Sequence, residues 1–468
     1  MVGTGPQMTL FHRQFSWDSQ LFRLTLIGVA LFFGLALAQL SLLNAFLLVF
    51  FSLVGVGALI EPLVGILAAL FLGVLWAWLR AEIPSVPALI ALPVVALTLA
   101  SWLMRGAARR DLRFDPSRLL FALLLFTGAA TLSLWDAVEL RVYGLPELIK
   151  WLLILALFLL VASYVDAVRL PWLTGGLLFI GAFQAAVGLW QFGLRGSGPE
   201  HFAIQSERFF RAYGTFEQPN PYSGFLGLLF PLGAGILLVW AVRRLQREGD
   251  SLPVWTLLFL VLATGLMGAA ILASWSRGAW LGIGAAFLVM FAALPRKTWL
   301  GLGLVALVIV ATLGLYTIDL LPAAVSGRLT DFTQYVRFED VRGVGINDAN
   351  FAVIERLAHW QAALEMWRAN FWTGVGFGDY EPAYAAFQLI NWPIALGHAH
   401  NYYLNIAAET GFLGLVAYVL LWGVVFWQTW RLTRRALNGW WWRGLAIGLL
   451  GAWTHLSIHH LFDNLYVN

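Results

Sequence analysis

The chain alternates between long apolar runs and short polar segments. Runs such as 21–38, 62–79, 119–134 and 299–316 reach the roughly 20 residues that a membrane-spanning helix needs. Thirteen spans are predicted in this way: 22–39, 42–60, 62–79, 86–104, 118–135, 146–163, 172–192, 222–241, 253–272, 278–294, 299–318, 403–428 and 444–460. The first run leads directly into further spans, so we expect no cleavable signal peptide. The pattern predicts an all-α polytopic membrane protein with about twelve to fourteen transmembrane helices.

Basic residues cluster in four of the short connections. They are Arg105, Arg109, Arg110 and Arg113, then Arg243, Arg244 and Arg247, then Arg296 and Lys297, and finally Arg431, Arg434 and Arg435. The positive-inside rule assigns these connections to the cytoplasm and the N-terminus with them. Two long loops, 193–221 and 319–402, are then expected on the opposite side. An odd number of spans places 459–468 there too, which indicates either a miscount by one or a missing final span.

The second long loop is predicted to be partly helical. Apolar residues recur at helical spacing over 352–368, which indicates an amphipathic helix at the membrane interface. Four regions follow: N-terminal spans over 1–192, central spans with the first outer loop over 193–318, the large extracytoplasmic loop over 319–402, and C-terminal spans over 403–468.

Composition agrees with a membrane protein and narrows its chemistry. Of 468 residues, 60% are hydrophobic and 12% charged, with a mean hydropathy of +0.78, whereas soluble domains hold about 25% charged residues. The absence of cysteine excludes disulfides, iron–sulfur clusters and thiolate catalysis. Two of the 29 basic residues are lysines; the remainder are arginines, whose planar charged fork suits phosphate.

The stretch GHAHNYYLNIAAETGFLGL, residues 397–415, places polar side chains at the start of the twelfth span. His398 and His400 are two residues apart, a spacing that puts them on one side of an extended segment. Metal-binding histidines on a helix prefer a spacing of three or four, and no neighbouring carboxylate or cysteine cluster completes a site, so no metal is expected. Asn401, Asn405 and Glu409 form a stripe that is typical of a protein interior or wet cavity, or of a polar contact between helices.

Arginines occupy three further outer segments. Arg277 lies in ASWSRGAWLG, beside the start of a span whose first amides can bind an anion together with the guanidinium. Arg211 and Asn220 lie in RAYGTFEQPNPYSGFL, where glycine and two prolines predict a tight, non-helical entry into the eighth span. Arg356 opens the loop helix. A lone arginine at a span end can also extend to the lipid headgroups.

All of these groups are expected on one side of the membrane. Several arginines with a histidine suit a substrate that carries phosphate and gives up a proton. A lipid pyrophosphate fits, because arginines can stabilise the departing pyrophosphate without a metal. Histidine can accept the proton of an attacking sugar hydroxyl.

Four motifs, SWSRGAWLG, RAYGTFEQPNPYSGF, ERLAHWQAALEMW with GVGFGDY, and HAHNYYLNIAAETGFLG, together resemble the O-antigen ligase and O-antigen polymerase superfamily. The resemblance covers roughly 205–465. It implies a GT-C-like membrane glycosyltransferase that needs no cofactor, moves a glycan from undecaprenyl pyrophosphate to a hydroxyl on lipid A-core, glycan or protein, and inverts the anomeric centre. It also implies a multi-pass protein of the bacterial cytoplasmic membrane with a periplasmic site. Members commonly continue past a motif like HHLFDN into another span.

The resemblance also implies roles for particular residues. Arg277 and Arg356 would hold the pyrophosphate, and His400 would activate the acceptor. The supporting candidates for substrate binding are Arg211, Asn220, His398, Asn401 and Glu409.

Two alternatives stay open from the sequence. A polymerase of the same superfamily shares these motifs, since the acceptor depends on loop shape. A glycolipid transporter or flippase would need polar groups through the depth of the bundle. Those groups are few: Gln184, Gln191, His455, and a Glu147–Lys150 pair that we expect to bind each other.

Overall fold

The computed structural model describes residues 20–83, 86, 90–112, 114, 116–204, 208–247, 252–318, 320, 340–347, 350–435 and 439–466. Fifteen α-helices lie in these ranges: α1 Gln20–Gln39, α2 Leu42–Ile60, α3 Pro62–Glu82, α4 Leu92–Arg109, α5 Arg118–Ser133, α6 Leu145–Tyr164, α7 Arg169–Gly193, α8 Pro219–Leu245, α9 Val254–Ala273, α10 Arg277–Ala293, α11 Thr298–Thr317, α12 Phe351–Ala369, α13 Tyr380–Tyr384, α14 Tyr402–Arg434 and α15 Trp440–His459.

The remaining regular elements are short. A 3₁₀ turn covers Leu134–Asp136, a π-helical turn covers Leu140–Gly144, and a second 3₁₀ turn covers Glu200–Phe202. Two strands, β1 Ala203–Ile204 and β2 Phe209–Phe210, pair antiparallel with Ala203 opposite Phe210.

The protein is an all-α polytopic membrane protein. Among the described residues, 8 helices are long and apolar enough to cross a membrane, namely α3, α5, α6, α7, α8, α9, α11 and α14. Each of the thirteen predicted spans coincides with a helix, α1 to α11 together with α14 and α15.

The predicted bounds of two spans are wrong. The fourth was expected over 86–104, but α4 begins at Leu92. Pro93 lies in the first turn of α4, where a backbone N–H would have no helical partner, so proline costs no hydrogen bond there. The twelfth was expected to end at 428, but α14 continues to Arg434 across a kink at Gly411. A Cβ on Gly411 would lie 2.4 Å from the backbone of Trp372, so the kink depends on glycine.

Small residues let α8 and α15 approach at backbone distance. A Cβ on Gly235 would lie 2.5 Å from the carbonyl oxygen of Gly444 and from the amide nitrogen of Gly448. Glycine contacts of this kind are typical of membrane helices, which associate through close packing.

Helix α12 confirms the helix predicted over 352–368, but its apolar stripe is not free to face a membrane interface. Ile354, Leu357 and Ala358 pack against Val341 and Trp392. A second buried set on the helix packs against the α13 region and α14: Ala362, Ala363 and Met366 against Val375, Tyr380, Tyr384, Ala399 and Ala408. The loop that precedes α14 therefore folds onto the bundle.

The helices define two ends of the bundle. At one end, here the histidine end, the start of α14 meets the end of α15, where the Tyr402 amide donates to the His460 carbonyl at 2.9 Å. At the other, here the arginine end, Arg434 of α14 donates to the Pro295 carbonyl at 2.6 Å. Helix α15 joins the two ends with its 20 residues, which span about 30 Å.

Candidate functional site

The segment that precedes α14 presents both predicted histidines to the same point. His400 has a positive φ of 52° and its amide donates to Nδ1 of His398 at 3.0 Å. The ring centroids are 4.4 Å apart. The rings lie together as predicted, but the cause is not an extended segment, because His400 takes a left-handed backbone conformation.

Asn401 serves the helix that follows. Its side-chain oxygen accepts from the amides of Tyr403 at 3.0 Å and Leu404 at 3.1 Å, so it is the N-cap of α14. The side chain of this predicted substrate-binding residue is thus engaged in starting the helix that follows the histidines.

A carboxylate that follows the C-terminal end of α15 lies close to both histidines. Asp463 Oδ1 lies 3.6 Å from His400 Nδ1 and 3.9 Å from His398 Nε2. Its Oδ2 accepts from Nδ2 of Asn220 at 2.8 Å. Sequence analysis did not select Asp463 as a site residue, although it noted the surrounding HHLFDN motif.

The first outer loop continues this polar chain. Arg211 Nη2 lies 3.5 Å from Oδ1 of Asn220, and Arg211 Nε donates to the Ser274 carbonyl at 2.9 Å. The predicted non-helical entry to the eighth span is partly wrong, because Pro219 already belongs to α8. Proline fits the first turn of a helix, and the irregular segment ends before it.

The two remaining predicted arginines lie on other elements. Arg277 is the first residue of α10, after the N-cap Ser276. The next residue, Gly278, lies so close to α15 that a Cβ there would be 2.6 Å from the His459 ring. Arg356 lies near the start of α12 and donates to the Ala352 carbonyl at 2.9 Å. Its charge acts on Asp463 and His398.

Burial and neighbouring charges shift the pKa values of these groups. It lowers the pKa of His398 to about 4, an effect that the charge of His400 reinforces. The same two causes lower the pKa of His359 to about 4. For Asp463, burial would raise the pKa, but the histidines and Arg356 hold it well below its ordinary value. Asp463 is therefore ionised and faces neutral His398.

His400 lies nearer to the Asp463 carboxylate than His398 does. Both of its ring nitrogens are buried without a hydrogen-bond partner within the described part of the chain. Since Nδ1 points at the Asp463 carboxylate, that contact favours the tautomer with hydrogen on Nδ1 and leaves Nε2 as an acceptor. The arrangement of acid and histidine resembles a base held by an orienting carboxylate.

The expectation that no carboxylate completes a metal site is wrong, because Asp463 supplies one. His398, His400 and Asp463 each offer a ligand atom, and these atoms lie within 4.8 Å of one another. Three protein ligands can suffice for a catalytic ion. The charge of Arg356 acting at the same point opposes a cation.

Glu409 lies apart from the histidine cluster. Its carboxylate accepts from the Tyr380 amide at 3.3 Å, two turns along α14 from Asn401. It borders a cavity of about 210 Å³ together with Glu147, Lys150 and Glu381. The predicted pair within α6 is confirmed, with Lys150 Nζ 2.7 Å from the Glu147 carboxylate.

Comparison with known families agrees with the motifs. Residues 262–419 match the family model described as O-antigen ligase. This stretch of the chain is similar to that family. No curated protein matches the chain. The family is associated with glycosyltransferase-like ligases and polymerases that use lipid-linked glycans and saccharide acceptors, and the apolar helices agree with a multi-pass membrane protein.

The matched stretch contains part of the candidate site. Its matched residues include Arg277, Arg356 and His400, whereas Asn220 and Asp463 lie outside them. The fold therefore brings the matched stretch together with the flanking helices α8 and α15 at one cluster.

Proposed function

We propose that this protein transfers a glycan from undecaprenyl pyrophosphate to an acceptor hydroxyl on the periplasmic face of the bacterial cytoplasmic membrane, without a metal or cofactor and with inversion. One observation carries the proposal. Polar contacts run from Arg211 through Asn220 to Asp463 and on to His400 at the histidine end, which places a guanidinium, a carboxylate and a histidine in one connected set.

The base step uses His400. The acceptor hydroxyl attacks the anomeric carbon, and its proton passes to Nε2 of His400. Asp463 stabilises the imidazolium that forms and holds the ring through Nδ1. A positioned base of this kind contributes roughly 10²–10⁴-fold to a rate.

The leaving step uses the arginines. As the bond between the anomeric carbon and the pyrophosphate oxygen breaks, the electron pair stays on the pyrophosphate. Arg277 and Arg356 stabilise that charge, as fixed cations do in other transferases. Arg211 is already bound to Ser274 and Asn220, so its first effect is to hold the loop. His398, Asn401 and Glu409 are expected to shape the substrate's surroundings.

The products distinguish the two members of the superfamily. Transfer to lipid A-core would identify a ligase, and longer lipid-linked chains would identify a polymerase. We favour the ligase, and the donor chemistry is the same in both.

The test is transfer from a purified undecaprenyl-pyrophosphate glycan by the full chain in detergent with a chelator. We expect the wild type to form product, and His400→Ala and Arg356→Ala to lose about two orders of magnitude or more in rate. Matched controls are His201→Ala, an exposed histidine of the first outer loop, and Arg368→Ala, an exposed arginine on α12 paired with Glu365.

Full activity of His400→Ala would overturn the role of the base. Activity that requires added metal would overturn the metal-independent step and favour the three-ligand site. Uptake of intact donor into sealed vesicles without transfer would favour a transporter instead.

A further inference from the structure

A second cavity lies at the arginine end of the bundle, about 30 Å from the histidines along α15. Its volume is about 630 Å³, and it lies between the ends of α8, α10, α14 and the starts of α11 and α15. Five basic residues line it, and none of its described lining residues is acidic: Arg243, Arg296, Lys297, Arg435 and Arg443.

Arg443 places a fixed positive charge in the lining of this cavity. Its guanidinium donates to the Leu294 carbonyl at 2.5 Å and the Thr433 carbonyl at 3.3 Å. Arg434, beside the cavity, donates to the carbonyls of Pro295 at 2.6 Å and Ala292 at 3.1 Å. These donors bind neutral carbonyl oxygens at the ends of α10 and α14, and the described residues pair neither guanidinium with a carboxylate.

The remaining cations add to this charge. Arg296 and Lys297 are exposed and line the same cavity, and the described residues offer their side chains no ion pair. The charges of Arg296 and Arg434 both act on Arg443. Like charges held together in a partly buried site repel each other, and a bound anion would relieve that repulsion.

The other side of the cavity is apolar. Val239 and Val242 of α8, Leu294, Leu300 and Trp440 contribute to its lining. A free phosphate would gain nothing from these side chains, whereas a lipid would place its headgroup among the cations and its glycerol and first methylenes against the apolar wall. Basic pockets between membrane helices suit phosphate headgroups.

We propose that this cavity binds the headgroup phosphate of an anionic phospholipid of the leaflet at the arginine end. The site is separate from the proposed glycan transfer and does not depend on it. A lipid headgroup and a free phosphate ion both present an anionic phosphate group to the cations. The apolar wall of the cavity assigns the bound phosphate to a lipid.

The test measures the binding of phosphatidylglycerol to the delipidated full chain in detergent by native mass spectrometry. We expect Arg296→Gln with Lys297→Gln to weaken binding roughly thirtyfold, because each basic residue near an anionic headgroup contributes about 1 kcal/mol. The matched control is Arg244→Gln with Arg247→Gln, which removes two exposed charges at the end of α8 that do not line the cavity. Its binding should stay within about threefold of wild type.

Arg296→Lys with Lys297→Arg keeps both charges and should retain binding, which separates charge from folding. Phosphatidylcholine should not compete. Equal loss in the control pair, or equal binding of phosphatidylcholine, would overturn the site. Displacement of phosphatidylglycerol by millimolar inorganic phosphate would overturn the assignment to a lipid in favour of a free anion.

Discussion

His400 is held in a backbone conformation that a histidine rarely adopts. Its φ of 52° lies in the left-handed region, where a residue with a side chain is strained by about 1–2 kcal/mol. The bond from its amide to His398 and the capping of α14 by Asn401 hold the turn in place. Backbone strain of this kind concentrates at functional sites, and here it directs the ring at Asp463.

Replacement of Asp463 by asparagine should lower the rate of glycan transfer by about 10²–10⁴-fold. The amide keeps the shape of the side chain but cannot stabilise an imidazolium. Initial rates measured across pH would check this, because a loss of the carboxylate moves the pH profile as well as the maximum. Asp340→Asn, an exposed outer-loop carboxylate paired with Arg342, should leave both unchanged.

Acidification should destabilise the histidine end. Burial lowers the pKa of His398 and His359 to about 4 and of His460 to about 3, below the 6.5 of an unfolded histidine. The unfolded chain then binds more protons below pH 6.5, so stability falls as the pH drops from about 6.5 towards 4, by up to about 1.4 kcal/mol per pH unit for each histidine.

Thermal unfolding in detergent would measure this slope. His398→Asn should flatten the slope in the same window. A midpoint that rises between pH 6.5 and 4 would contradict the neutral state of these histidines. Asp463 affects stability at a lower pH than the histidines do. Because its pKa is lowered in the folded protein, it contributes stability above pH 3.8, and that contribution is lost only in stronger acid.

The histidines and arginines could be selected as candidates from the sequence because each stands out against an apolar or outer-loop background, and their roles stay predictions. Asp463 could not, because 63 residues separate it from His400 in the chain, and only the packing of α14 against α15 joins them. For the same reason Asn220 was selected as a local loop residue and not as the donor to that carboxylate.

At the scale of elements, apolar runs predicted thirteen helices, of which 8 among the described residues are long and apolar enough to cross a membrane, and apolar periodicity predicted the loop helix α12. It failed where the cause is not hydropathy. Proline sets the start of α4, and the extension of α14 past 428 includes arginines that bind the carbonyls at the end of α10. The face of α12 was predicted from spacing, but the partner that covers it comes from α13, α14 and the intervening loop.

Replacement of Gly235 by alanine should destabilise the α8–α15 contact by about 1–3 kcal/mol, because the new methyl group would overlap the backbone of α15. Thermal unfolding in detergent measures the change. Gly265→Ala is the matched control on α9, since nothing lies within 4 Å of a Cβ there. It should be neutral or stabilising, because alanine favours a helix over glycine by about 1 kcal/mol. Equal stability of the two variants would contradict the close contact.

At the scale of the molecule, the absence of cysteine allows each end to be tagged alone. Ile390→Cys, at a loop position that is 93% exposed, should react with a membrane-impermeant maleimide in intact spheroplasts. Arg244→Cys at the arginine end should react only after permeabilisation. The reverse pattern would invert the predicted orientation and move the histidine cluster to the cytoplasm.

The residues of the cluster are synthesised at different times, because they lie far apart in the chain. Arg211, Asn220 and His400 are translated before Asp463, which follows the last described helix. At roughly 5–20 residues per second, several seconds separate the histidine from its carboxylate. On the proposed function, a nascent chain can acquire affinity for the lipid donor before it can cleave it.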